Sequence, residues 1–305
     1  MINNSSLRKA NIGRLAILAT TFIWGTSFVL LKRTLDLVPI MYILAFRFLG
    51  AALLMLPFCA KDLKKIDGSY LMGGTLMGIC LFVAYVLQTY GLVYTTPGKN
   101  AFLTAVYCVL VPFLIWIIHR KRPDKYNVIA GFICIAGIGC VSLESDFTVN
   151  IGDLLTLVCG LFFGLHIIVT GRYSKGRNPF VLTMIQFAWA AVLSWGGVLA
   201  FEAFPPNIHS SALWSIVYMC IMCTGVCFVL QTFGQKYTPP SSVSILLTLE
   251  AVFGVLASVI FYGEILTVKV LLGFALIFIS VLLSETKLSF LGKRSGERGI
   301  IKGRD

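Results

Sequence analysis

Ten long apolar stretches, each ended by a short polar cluster, divide the chain: 12–31, 39–59, 70–90, 98–118, 127–143, 152–171, 180–201, 211–233, 241–262 and 266–284. About 20 apolar residues in a helix cross the hydrocarbon layer of a bilayer. A backbone in lipid must satisfy its own hydrogen bonds, so each stretch predicts one spanning helix. Pro39, Pro97, Pro179 and the pair Pro239–Pro240 stand at predicted starts, where a missing N–H has no helical bond to lose. The predicted fold class is an all-α polytopic membrane protein with ten transmembrane helices. Arg8, Lys9 and Arg14 precede an apolar run from Leu15 to Leu31 as in a secretory signal. That stretch is long for a signal core and no A-x-A site follows it, so it reads as a retained helix.

The loops are short, so their Lys and Arg content reports orientation. With the N-terminus inside, the inner segments hold twenty Lys and Arg residues and the outer loops four, namely Lys32, Arg33, Lys99 and Lys269. Both termini are expected in the cytoplasm of a prokaryote, with the chain in its inner membrane. The net charge of +12 belongs to this asymmetry and not to nucleic-acid binding. Only 12% of residues are charged and mean hydropathy is +0.89, which excludes a soluble domain. The nine cysteines lie in apolar segments apart from Cys59 and read as small core residues. Cys220, Cys223 and Cys227 share a helical face without a nearby His, so neither a metal nor another cofactor is expected.

The chain repeats itself. Leu87–Pro97 (LQTYGLVYTTP) and Leu230–Pro240 (LQTFGQKYTPP) agree at seven of eleven positions, where composition alone would give about one. Trp24-Gly25 and Arg33 align with Phe163-Gly164 and Arg172, and Gly131-Phe132 with Gly273-Phe274. The expected organisation is two five-helix units, 1–146 and 147–287, followed by a basic cytoplasmic tail, 288–305. An odd number of crossings inverts the second unit, as in many secondary transporters with a midplane site. Gly74-x-x-x-Gly78 and Gly160-x-x-x-Gly164 permit close helix packing.

Trp24-Gly25, Ala45-Phe46-Arg47-Phe48, Gln88-Thr89-Tyr90-Gly91-Leu92 with Tyr94-Thr95-Thr96, Leu249-Glu250 and Gly263-Glu264 together resemble the EamA family of the drug/metabolite transporter superfamily. The resemblance covers nearly all of residues 12–285. It departs at Ala251, where the family usually has proline after the glutamate; Pro112 supplies that proline in the first half. The resemblance implies a ten-helix alternating-access carrier, often an exporter of amino acids or other small metabolites. It leaves the cargo open.

Polar residues inside apolar stretches are costly and mark candidate sites. Arg47 lies about eight residues into its helix and either lines a cargo site or ties helix ends together. Glu250 is the one acid deep in a stretch; it suits proton coupling or a cationic cargo group, or is held by a neighbour. Asn100, Thr104 and Tyr107, with Lys99 before them, form a polar stripe that lines a cavity or bonds between helices. Pro112 frees the carbonyl of Cys108 and predicts a kink there. His166 is a proton relay or a packed neutral ring. Gln88 and Gln231 are repeat mates, whereas Gln186 aligns with Arg47. Trp24 is cavity wall or packing. The expected partners are a small-molecule substrate and membrane lipids, with a monomer or homodimer as the assembly. The competing classes are a channel, a translocator of lipids or drugs, and a membrane-embedded enzyme. His119, His166 and His209 fall at the inner edge, inside a helix and in an outer loop, and cannot form one catalytic site.

Overall fold

The structure, a computed structural model, describes residues 4–143, 149–174, 177–203, 209–237 and 240–287. The tail 288–305, Lys175 and Pro239 lie outside them. Among the described residues all regular elements are helices. The membrane helices are α1 (Asn4–Leu35), α2 (Ile40–Cys59), α3 (Gly68–Tyr94), α4 (Pro97–His119), α5 (Lys125–Ser142), α6 (Ile151–Tyr173) and α7 (Pro179–Phe201). α8 follows as three contiguous segments, Ser210–Tyr218, Met219–Val226 and Cys227–Tyr237. α9 joins Pro240–Ala257 to Ser258–Tyr262, and α10 is Val268–Thr286. Among the described residues nine helices are long and apolar enough to cross a bilayer, and Leu246–Tyr262 in α9 is a shorter apolar one.

The helices start where the sequence supplies a cap. Asp67, Thr96, Asp124, Asn150, Asn178 and Thr267 each accept a hydrogen bond from a first-turn backbone N–H, a contribution of about 1 kcal/mol apiece. α9 ends at Gly263, whose φ of 76° lies in the left-handed region that a side chain disfavours.

Regularity fails at places the apolar pattern did not indicate. α4 breaks at Ala105–Val106, where Val106 N bonds Leu103 O at 3.3 Å and Cys108 N bonds Ala105 O at 3.1 Å. The kink expected at Cys108 therefore falls earlier, and Tyr107–His119 runs on as helix through Pro112. Met219–Val226 and Ser258–Tyr262 are π-helical, a rare i→i+5 form frequent at functional sites. Cys59, the one cysteine read outside an apolar interior, is fully buried at the end of α2.

The packing has an internal order. α1 lies against α8 and α9, α6 against α3 and α4, α2 against α7 and α8, α7 against α3, α4 against α9, and α5 against α10. Adding five to each number, counted around the ten, turns each of these pairs into another of them or into itself. Matched contacts follow the same relation. Glu202 after α7 accepts from Met41 N at 2.9 Å and Tyr42 N at 3.2 Å at the start of α2. Asp62 after α2 accepts from Asn178 Nδ2, at the start of α7, at 2.6 Å.

Two crossings require glycine. A Cβ on Gly91 in α3 would stand 2.8 Å from Gly152 O in α6, and one on Gly234 in α8 would stand 2.8 Å from Gly13 O in α1. Gly91 and Gly234 are the glycines of the two repeated segments.

The four cations expected outside lie at the face opposite the start of α1. Each is held there. Lys32 Nζ donates to the carbonyls of Leu92, Val93 and Thr95 at 2.6, 2.8 and 3.0 Å, closing the end of α3. Arg33 reaches Phe261 O at the end of α9, and Lys269 Nζ reaches Leu143 O after α5 at 2.5 Å. Lys99 pairs with Asp153. Cations on carbonyl ends of helices complement the helix dipole.

Candidate functional site

The polar residues of the mid-bundle converge where α2, α3, α4, α8 and α9 meet. Arg47 is buried at 4% exposure. Its Nε donates to Thr224 Oγ1 at 2.7 Å and its Nη2 to Tyr85 Oη at 3.3 Å. The guanidinium carbon lies 4.7 Å from the centre of the Tyr85 ring. Thr224 in turn donates to Met219 O, five residues back along the π-helical turn, at 3.0 Å. That turn thus sets the hydroxyl that orients the arginine. Nη1 has no hydrogen-bond partner among the described residues, so one edge of a planar cation suited to a carboxylate is left open.

Glu250 on α9 is within the electrostatic reach of Arg47. It lines a cleft between α4 and α9 with Thr104, Tyr107, Cys108 and Thr248, and the cavity there is about 10 Å³, room for about one water. Its carboxylate has no hydrogen-bond partner among the described residues. Tyr107, the position in α4 that corresponds to Glu250 in the repeat, lines the same cleft. The two halves thus bring a phenol and a carboxyl group to one place. Gly25 lets α1 approach this stretch of α9, since a Cβ on it would meet Glu250 O at 2.7 Å.

The expected stripe on α4 divides. Asn100 is fully buried and turns to its neighbours, donating to Gln88 O at 3.1 Å and Thr156 Oγ1 at 2.8 Å. It bonds between helices. Thr104 lines the cleft and accepts from Gln88 Nε2 at 3.1 Å. Lys99 leaves the stripe for Asp153, 3.4 Å away. Gln186 pairs with His166 at 2.8 Å, so the counterpart of Arg47 carries an amide–imidazole contact. Gln231 is half-buried on α8. Trp24 Nε1 donates to Cys223 O at 2.6 Å and its ring packs edge-on to Phe228 at 5.6 Å, a packing contact beside the Arg47 cluster.

Sequence reasoning missed Tyr85 and Thr224, which orient Arg47, and Asp153 and Glu264, which hold the α3–α4 connection. Glu264 accepts from Thr96 Oγ1 at 2.5 Å, Gly98 N at 3.0 Å and Ser258 Oγ. Asp153 accepts from Thr95 Oγ1 at 2.5 Å. One signal was available for Asp153: Asn150-Ile151-Gly152-Asp153 repeats Asn11-Ile12-Gly13-Arg14 with the charge reversed.

The profile of the EamA-like transporter family matches the chain twice, over residues 11–143 and 150–286. The chain belongs to the EamA-like transporter family. A relative from Archaeoglobus fulgidus named "Uncharacterized transporter" is 33% identical over 90% of this chain and 86% of its own length. "Uncharacterized transporter YoaV" of Bacillus subtilis is 25% identical over 86% of this chain and 93% of its own. A solved crystal structure superposes with a TM-score of 0.63 at 17% identity, covering 92% of this chain and 99% of that one; this likeness concerns the fold. The EamA-like chain is a membrane transporter, and family and relatives alike point away from an enzyme.

Proposed function

We propose that this EamA-like protein is a secondary transporter that exports a small organic solute across the cytoplasmic membrane by alternating access between two inverted five-helix halves, both termini being cytoplasmic. The observation that carries the reading is the opposed pair at mid-bundle. Arg47, from the first half, keeps Nη1 open, and Glu250, from the second, keeps its carboxylate open. A solute carrying a carboxylate and an ammonium group satisfies both. The cleft beside Glu250 is about 10 Å³ and Arg47 does not line it, so bringing both groups onto one solute calls for movement of the halves, as in a carrier. With the cargo absent, Glu250 is free to carry a proton, which supports proton coupling.

The test is counterflow in proteoliposomes of purified protein, with labelled zwitterionic, anionic and cationic small metabolites. Saturable exchange of zwitterions, lost in Arg47→Ala, is the expected result. Non-saturable flux of every solute would refute the carrier reading. Fusion reporters at residue 305 and in the 202–210 loop must report opposite sides of the membrane; same-side signals would overturn the orientation.

A further inference from the structure

The α3–α4 connection, Thr95 to Lys99, is clamped from two sides by carboxylates of the second half. On one side Asp153, fully buried at the start of α6, accepts from Thr95 Oγ1 at 2.5 Å and pairs with Lys99 Nζ at 3.4 Å. On the other, Glu264 accepts from Thr96 Oγ1 at 2.5 Å and from Gly98 N at 3.0 Å. The backbones touch beneath this clamp: a Cβ on Gly152 would stand 2.5 Å from Gly91 O and 2.8 Å from Thr95 N. The connection leads directly into Thr104, Tyr107 and Cys108, which line the Glu250 cleft.

At the opposite face the same backbone crossing recurs with different chemistry. Gly234 meets Gly13 as Gly91 meets Gly152. The residue after Gly13 is Arg14, which is exposed and donates to Asn11 Oδ1 at 3.4 Å. The α4–α5 connection, which corresponds to the one carrying Glu264, reads His119-Arg120-Lys121-Arg122. The acids that clamp one face therefore have basic counterparts at the other. Asp153 is fully buried and Lys99 part-exposed; a buried carboxylate that loses its partner is left uncompensated, so the pair favours the closed arrangement.

We propose that the Thr95–Lys99 connection is the gate of the face opposite the start of α1, and that Asp153 and Glu264 are the latches that hold it shut in this structure. The proposal rests on the transporter reading, in whose orientation this gate is extracellular. Opening requires Lys99 and Thr95 to leave Asp153 while Thr96 and Gly98 leave Glu264. The cleft behind then meets the outside through the α3–α4 connection. The positions that correspond to Asp153 and Glu264 at the cytoplasmic face carry no carboxylate.

Cys108 is the native reporter, buried on the cleft wall. Intact cells are treated with a membrane-impermeant maleimide, and labelling of Cys108 is read by peptide mass spectrometry. No cargo is needed, so the result stands apart from the outcome of counterflow. Wild type should label slowly from outside. Asp153→Asn keeps the shape but loses the ion pair, and should label about tenfold faster; Glu264→Gln, at a half-buried position, should act in the same direction. Unchanged labelling in folded Asp153→Asn and Glu264→Gln overturns the proposal. So does acceleration seen only in inside-out vesicles. Should Asp153→Asn fail to fold, Glu264→Gln alone decides.

Discussion

Gly152→Ala tests how closely the two halves depend on one backbone contact. The added methyl would lie 2.5 Å from Gly91 O, 2.8 Å from Thr95 N and 2.8 Å from Tyr94 C. Ordinary carbon contacts lie near 3.5–4.0 Å, so α3 and α6 must part by roughly 1 Å. All three obstacles are backbone, and no rotamer change relieves them. Overpacking of this kind costs about 1–3 kcal/mol, and the better helix propensity of alanine returns about 0.5–1 kcal/mol. The net expectation is destabilisation by about 1–2 kcal/mol, measured by equilibrium unfolding in mixed detergent micelles. The displacement also pushes Thr95 off Asp153, so Cys108 should label faster from outside. Gly196→Ala is the control, because nothing stands within 4 Å of its added methyl, and it should be neutral or slightly stabilising. Equal stability of Gly152→Ala and Gly196→Ala, with Cys108 still protected in both, would show that the crossing is not a close contact.

Thr224→Val removes the acceptor 2.7 Å from Arg47 Nε while keeping the side-chain shape. It should cost about 1–3 kcal/mol of stability, and the double variant with Arg47→Met should recover most of that in the same unfolding assay. Arg47→Ala should raise the counterflow KM for carboxylate-bearing cargo at least tenfold and Arg47→Lys less, since lysine keeps the charge and loses the fork; unchanged KM in a monodisperse Arg47→Ala protein would remove Arg47 from the binding site. Glu250→Gln should lower exchange and flatten its pH dependence with expression near normal, and full activity with an unchanged profile would make the residue structural. The Lys287 ammonium, 2.5 Å away, holds the Asp124 carboxyl below the ordinary aspartate range. That stabilisation is full above about pH 3.9 and is lost as pH falls through the lowered value. Asp124→Asn should therefore melt earlier than wild type at neutral pH, with the gap narrowing in acid.

The helices were legible because spanning lipid demands long apolar runs, which one sequence displays without ambiguity. Arg47 and Glu250 were legible for the complementary reason, being charges where lipid disfavours them. Their surroundings were not. Thr224 and Tyr85 lie 177 and 38 residues from Arg47, and a threonine or tyrosine in an apolar run gives no hint of its partner. The α4 stripe assumed an unbroken helix. The break at Ala105–Val106 sets Tyr107 in a separate segment, and the Asn100 Nδ2 is taken by Gln88 and Thr156 while its buried Oδ1 has no partner among the described residues. Asp153 and Glu264 sit at helix edges, where acids are common on any surface, so hydropathy alone does not distinguish a clamp from a solvated loop.

The reversed charge at the two glycine crossings has an electrical consequence. In the proposed orientation Arg14 lies on the negative side of an energised membrane and Asp153 on the positive side. Each unit charge carried across the whole field is worth about 2.3 kcal/mol per 100 mV; Arg14 gains by this insertion, while Asp153 offsets the opposing charge of Lys99 on its own face. Two identical halves would cancel this term, because whatever one gained by a given orientation the other would lose. The change from Asn-Ile-Gly-Arg to Asn-Ile-Gly-Asp makes the voltage act on the chain as a polarised object, so the resting potential itself opposes the upside-down protein.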